Sequence, residues 1–499
     1  MEEMTGLMQR RRDELEKIIE SGINPYPYRF EVTRDSKEII DAFESLSESG
    51  KVLKFAGRIM SFRRMGGSTF AHLQDRSGKL QVYFRKNSIG VDSYKILKLL
   101  DIGDIIGVTG TLFKTRTGEI SVGVESYEIL AKSLRPLPIV KETVDEQGKK
   151  ILHDQFADKE TRYRQRYVDL IVNPDVRQVF IKRARIIREL RNFLDTRGFL
   201  EVETPVLQPL YGGATARPFT THHHRLNMKL YLRVADELYL KRLIVGGLER
   251  VYEIAKDFRN EGMDRNHNPE FTMLEFYQAY ADYFDMMVLF EDMISTVAEK
   301  ATGSMHIRFK GHEIDLTPPW DRLPLLEAIQ KYAEVDVSDK SEDELREICR
   351  EKDIEISPEM GGGKLIDELF KHYVEPNLIQ PIFIIDYPIE LSPLAKKHRD
   401  NPRLTERFEP FIAGSEIGNA FSELNDPTDQ RRRFEAQAAL RARGDKEAQA
   451  LDNDFLRALE YGMPPTGGVG IGVDRLVMLL TDSPSIRDVI FFPQMREES

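Results

Sequence analysis

Residues 256–277 read KDFRNEGMDRNHNPEFTMLEFY, and the fold turns on this stretch. Side chains alternate along a strand, so i, i+2 and i+4 share a side. As a strand, 256–261 places Arg259 and Glu261 on one face. As a second strand, 271–277 places Phe271, Met273, Glu275 and Tyr277 together. The segment 418–423, GNAFSE, repeats the theme with Asn419, Phe421 and Glu423. A half-buried strand ordinarily keeps apolar and polar residues on opposite faces. Three strands that mix carboxylates, amides and aromatic rings on one face suit the floor of a polar pocket.

Working outward, a helix is expected from Pro174 to about 197, with Asn173 as its cap and Gly198 at its exit. Val176, Val179, Phe180, Ile187, Leu190 and Leu194 form its apolar stripe. Strands and helices alternate from about 201 to 291. A mostly helical insertion follows at about 305–378, and strand patterns return from 382. A glycine-rich strand over 467–473 runs into a helix from about 474. Towards the N-terminus the texture changes. Five short β-branched runs, 52–62, 68–75, 79–84, 104–113 and 119–130, are separated by turn signals, with a helical stretch at about 91–100. That is the pattern of a five-stranded OB-fold barrel, a fold that commonly binds single-stranded nucleic acid. An amphipathic helix over 9–21 precedes it. Its Arg10-Arg11-Arg12 run reads as a solvated face, with contact to an RNA backbone as the alternative.

The whole chain has 499 residues, 41% of them hydrophobic and 31% charged, which fits two or three globular domains. Its net charge of −11 means that a nucleic acid must meet a local basic face. One cysteine, Cys349, excludes an internal disulfide and a multi-cysteine zinc site. No signal peptide or membrane-spanning stretch is evident, and a cytoplasmic location is expected.

Phe258–Gly262 with His267–Thr272 resembles motif 2 of the class II aminoacyl-tRNA synthetases. Gly468–Leu476 resembles motif 3, and helix 174–197 with Gly198–Pro205 resembles motif 1. The resemblance implies an α+β protein: an N-terminal OB-fold barrel and a class II catalytic domain, an antiparallel sheet flanked by helices. The expected boundaries are 1–51 for an N-terminal helical extension, 52–135 for the anticodon-binding barrel, 136–160 for a linker and 161–499 for the catalytic domain.

Roles follow from the resemblance. Arg259 is expected to bridge the amino-acid α-carboxylate and the ATP α-phosphate, because a guanidinium forks its donors between two anions. Arg259 and Arg475 are the expected catalytic residues. Phe271 and Arg475 are expected to sandwich adenine, Glu261 to read its edge, and Arg265 and His267 to meet the outer phosphates. Glu409 and Glu416 are expected to hold Mg2+ beside ATP. They stand seven apart, and Ala413-Gly414-Ser415 reads as a turn that lets both point inward. The glycines before Arg475 are expected to let ATP approach the backbone.

Three pocket carboxylates, Glu237, Glu275 and Glu423, point to a cationic amino acid and away from aspartate. The resemblance is to the lysyl branch, supported by the strings 212–219 and 416–425. It implies that Glu237 and the Gly213 carbonyl take the α-ammonium of L-lysine. Glu423 and Tyr277, helped by Glu275, take the ε-ammonium. Phe421 packs the aliphatic stem and Asn419 assists Arg259. On the barrel, Arg58, Phe70, Gln81 and Glu119 are the expected anticodon contacts, with tRNA(Lys) as partner and a homodimer built on motif 1. An aspartyl or asparaginyl enzyme, a protein-lysylating relative and an inactive RNA-binding paralogue are the rivals. Gly361–Leu365 lacks the lysine–hydroxyl pair of a phosphate loop, and His222-His223-His224 reads as ordinary strand or loop histidines.

Overall fold

The five β-branched runs close into a barrel: β1 Leu53–Met65, β2 Ser68–Gln74, β3 Lys79–Arg85, β4 Ile105–Lys114 and β5 Ile120–Ala131, in the order β1-β2-β3-β5-β4. Leu53, Phe55, Ile59, Leu73, Val82, Phe84, Val108 and Val122 fill it. Asp75 sets the β2–β3 turn by accepting from the backbone of Ser77 and Gly78, each at 2.8 Å. The computed structural model describes residues 5–138, 141–144, 150–153, 156–214, 216–358, 360–442 and 451–497. Two compact units result, Met1–Ala157 and Asp158–Ser499.

In the first unit, helix α1 Gly6–Glu20 lays Ile18 into the barrel core. Within the arginine run, Arg11 departs from the solvated-face reading. Arg11 is buried and donates to the carbonyls of Ile102, Ser133 and Arg135, while Arg10 pairs with Asp101 at 2.7 Å. Arg11 is therefore a structural clamp, and Arg12 stays exposed.

In the second unit, helix α2 Pro174–Asp195 buries Phe180, Ile186, Leu190, Phe193 and Leu194. Asn173 does not cap it; its side chain donates to Asp169 at 2.6 Å. Next in chain order come β6 Leu200–Glu201, helix α3 Glu237–Val245, β7 Arg250–Phe258, β8 Glu270–Ala279 and helix α4 Tyr283–Thr302. The segment from 305 is helical only from Leu325. Before that lie a hairpin, His306–Phe309 with His312–Asp315, and β9 Asp321–Pro324. Then follow β10 Ile382–Pro388, β11 Leu404–Ile412, β12 Ser415–Glu416, β13 Gly418–Ser422, β14 Thr466–Gly472 and helix α5 Val473–Leu480.

These strands form one nine-stranded sheet in the order β9-β10-β11-β13-β14-β8-β7-β6, with β12 paired to β11. It is antiparallel except for its two outer pairs, β9 with β10 and β6 with β7. One face packs on α2, α4 and α5 through residues such as Leu190, Phe276, Phe290 and Leu476. The other face carries the site. No helix among the described residues is long and apolar enough to cross a membrane.

Candidate active site

The expected strand 256–261 ends early, at Phe258. The Arg259 amide still donates to the Pro269 carbonyl at 2.9 Å, but Pro269 has no N–H to return and the ladder stops there. Glu261 therefore does not continue on the Arg259 face. Its side chain lines a cavity of about 650 Å³ with Phe219, Phe258, Glu270 and Phe492, in which none of the other residues expected around ATP takes part. Arg259 sits with its guanidinium 5.0 Å from the Phe271 ring centre. The loop between is organised by Asp264, which accepts from the amides of Asn266 and His267 and from the His267 ring. Arg265 is exposed on this loop.

His267 meets Arg475 at 3.5 Å, so the loop and the start of α5 converge. Arg475 also donates to the Glu416 carbonyl at 2.8 Å and lies 3.2 Å from its carboxylate. The turn between Glu409 and Glu416 is as read. Ala413 and Gly414 both have positive φ, and Phe411 pairs with Glu416 in a tight hairpin. Glu409 accepts from Tyr387 at 2.8 Å and from Arg407. Burial pushes Glu409 up to about 7 despite Arg407, and Glu416 adds to the rise. Arg407 was not foreseen. It also donates to Asn419 at 3.0 Å and so ties the amide strand to the carboxylate strand.

Further along β8 the expected face appears. Tyr277 donates to Glu275 at 3.0 Å, and both are buried. The fully buried Glu423 approaches from the end of β13. A Cβ on Gly468 would fall on its Oε1 and on the Tyr277 ring. This glycine thus clears space for a pocket carboxylate, a different role from the expected approach of ATP. Glu237, at the start of α3, has its Oε2 beside Gly213. Between Glu237 and Glu423 lies Lys241, fully buried, at 2.5 Å from Glu237 and in contact with Glu423. Sequence reasoning missed it, although its i,i+4 spacing from Glu237 was a signal.

Burial raises Glu237, Glu275 and Glu423 alike. Glu275 is pushed up to about 8, with Asp257 and Glu237 contributing after burial. Asp236, Asp257 and Glu275 also offer oxygens that converge. Arg233 stands 3.0 Å from Asp236 and 3.5 Å from Asp257, so a guanidinium already answers part of that charge.

On the barrel, Phe70 stacks on Tyr83 at 4.3 Å, and Gln81 and His72 both bond Glu119, at 2.6 and 2.8 Å. Phe70 is cross-strand from Tyr83, and His72 from Gln81, so these residues form one outer patch. Arg58 is engaged elsewhere, donating to the Gly103 carbonyl at 2.7 Å. His72 and Tyr83 were missed, though Phe70 and His72 are two apart on one strand face. The three histidines 222–224 are exposed at a hairpin, with His223 accepting from the Leu226 amide. Gly361–Leu365 begins a helix, Gly362–Tyr373. Thr215, within the quoted 212–219 string, lies outside the described residues.

Comparison with known proteins supplies the context. Residues 158–496 match the family model for tRNA synthetases class II (D, K and N). The chain belongs to this family. Residues 53–136 of this synthetase match the OB-fold nucleic acid binding domain. It is 55% identical to the lysine–tRNA ligase of Carboxydothermus hydrogenoformans, with 99% of each chain covered. It is 56% identical to that of Moorella thermoacetica, again over 99% of each. A third lysine–tRNA ligase, from Pelotomaculum thermopropionicum, is 55% identical over 99% of this synthetase and 96% of the relative.

Proposed function

We propose that this synthetase activates L-lysine with ATP and transfers the lysyl group to the 3′-terminal ribose of tRNA(Lys). The observation that carries the reading is the convergence of Glu237, Glu275 and Glu423, all buried, on the sheet face that leads to Arg259. Phe271 and Glu275 are four residues apart on β8, about 13 Å, which accommodates an extended lysine between Arg259 and the acidic end. Lysine brings two ammonium groups and one carboxylate. Carboxylates for the first and a guanidinium for the second match that pattern. An aspartate side chain would meet repulsion in the same place.

In the first step a lysine carboxylate oxygen attacks the α-phosphorus, pyrophosphate leaves with the bridging oxygen, and lysyl-adenylate forms. Arg259 holds the two anions together and opposes the charge that builds on phosphorus. Phe271 and Arg475 hold the adenine, and Arg265 and His267 the outer phosphates; Glu261, which lines a different cavity, is given no role at the nucleotide. In the second step a terminal ribose hydroxyl attacks the carbonyl carbon and AMP leaves. Glu237 and the Gly213 carbonyl hold the α-ammonium. Glu423, Tyr277 and Glu275 hold the ε-ammonium, Phe421 the stem, and Asn419 supports Arg259.

Glu409 and Glu416 fit a magnesium ion in chemistry. Their oxygens are hard donors, and each Glu409 oxygen accepts one protein bond and keeps a lone pair. Bound there, Mg2+ would neutralise phosphate charge. Phe70, Gln81 and Glu119 form the patch best suited to stack and read an anticodon base. Exposed Ile181, Leu200 and Leu207 around motif 1 support a homodimer. ATP–pyrophosphate exchange with each of the twenty amino acids tests the reading. Lysine alone should drive exchange strongly, and equal exchange with aspartate would overturn it.

A further inference from the structure

Lys241 has no part in the roles above, yet among the described residues it is the only ammonium in contact with two of the pocket carboxylates. It projects from α3 one turn after Glu237 and is fully buried. Its Nζ meets Oε1 of Glu237 and Oε2 of Glu423. The remaining oxygens stay on the pocket side: Glu237 Oε2 beside Gly213, and Glu423 Oε1 beside Gly468 and Tyr277. Glu423 Oε1 is buried and has no hydrogen-bond partner among the described residues. Two aromatic rings complete the surroundings, Phe421 at 5.2 Å and Phe455 at 6.0 Å.

We propose that Lys241 is a positioning and specificity residue: its ammonium joins Glu237 to Glu423 and lets both be ionised together when a doubly cationic amino acid enters. The proposal rests on the lysine reading of the pocket. Its logic is charge balance. Three carboxylates, Glu237, Glu275 and Glu423, with one internal ammonium leave two negative charges. A ligand with two ammonium groups needs two, and Arg259 answers the ligand carboxylate. Without Lys241, Glu237 and Glu423 would repel each other across the pocket, and protonation of either would leave the ligand ammonium it serves without that carboxylate.

The other charges around the pair are accounted for. Glu275 and Tyr277 face it from β8 and Arg407 from β11. Asp236 and Asp257 lie behind Glu275, share Arg233 with Glu253, and are both raised by burial, which reduces the charge they add. Arg242 on α3 is paired with Asp452 and Asp454. Burial alone would lower Lys241; Glu237 and Glu423 outweigh it and hold the group above its ordinary value, so it stays an ammonium.

The test is Lys241→Met in the full-length protein, by lysine-dependent ATP–pyrophosphate exchange from about pH 6 to about pH 9. Removing the cation raises the carboxylates, so the lysine KM should rise roughly 100-fold at neutral pH and recover in part towards alkaline pH. The KM for ATP should stay within about threefold. An unchanged lysine KM and pH profile would overturn the proposal. If Lys241→Met fails to fold, the double variant Lys241→Met/Glu423→Gln removes both charges and carries the test. Compared with Glu423→Gln alone, it should differ in lysine KM by less than about threefold, and a further rise approaching 100-fold would refute the coupling. Normal lysine exchange in Glu423→Gln alone would instead sink the pocket reading beneath it. The two failures are thus told apart.

Discussion

The Tyr277 hydroxyl donates to Glu275 Oε2 at 3.0 Å, and both side chains are buried. Burial first, then Asp257 and Glu237, push Glu275 up to about 8, while Tyr277 pulls the other way. A carboxyl raised in this way is mostly protonated at neutral pH. An arriving ammonium favours its ionised form, so binding must expel the proton. Lysine binding at pH 7 should therefore release roughly one proton, and affinity should rise as pH climbs from about 6.5 to about 8. Calorimetry in two buffers of different ionisation enthalpy checks this. Proton uptake, or no exchange, would show that Glu275 is ionised before the ligand arrives.

Glu423→Gln should be among the most damaging single changes. It leaves Lys241 with one carboxylate instead of two in a dry environment. Breaking a buried charge pair typically costs about 3–5 kcal/mol. Part of that loss falls on stability and part on the ligand's terminal ammonium. Lysine-dependent pyrophosphate exchange should drop by a factor on the order of 100 or more. Thermal melting of the same sample separates the two contributions.

Much of this site was legible because strand alternation is local. The faces of 271–277 and 418–423, the Ala413–Gly414 turn and the barrel each follow from residues close in sequence. What was missed depends on partners far along the chain. Lys241 could be placed one helical turn from Glu237, but Glu423 comes from another strand altogether. Arg11 looked like a solvated charge because its three carbonyl acceptors lie near 102 and 133–135. The strand through Arg259 was drawn too long because its end is set by Pro269, just before the neighbouring strand. The hairpin at 306–315 escaped notice because its strands are four residues each and mostly polar.

Gly468 offers a test that substitutes none of the pocket side chains. A methyl group there would fall on Glu423 Oε1 and on the Tyr277 ring, while β14 is paired on both edges and cannot retreat. Gly468→Ala should cost about 1–3 kcal/mol of stability by overpacking. It should also raise the lysine KM far more than the ATP KM, because both displaced groups belong to the amino-acid end. Parallel rises in the two KM values would instead place Gly468 under the nucleotide, as the sequence alone suggested.

Phe70→Ala separates recognition from chemistry. Phe70 is only half-buried, lies outside the barrel core and rests on Tyr83 at 4.3 Å. Its loss should therefore leave the melting temperature nearly unchanged. If an anticodon base stacks on this ring, truncation removes about 1–3 kcal/mol of that contact. The KM for tRNA should then rise by roughly 5- to 150-fold, while lysine-dependent pyrophosphate exchange, which needs no tRNA, stays at the parent level. Aminoacylation and exchange measured on one preparation decide the matter. If both fall together with the melting temperature, the Phe70–Tyr83 stack is a structural brace and the nucleic-acid face of the barrel lies elsewhere.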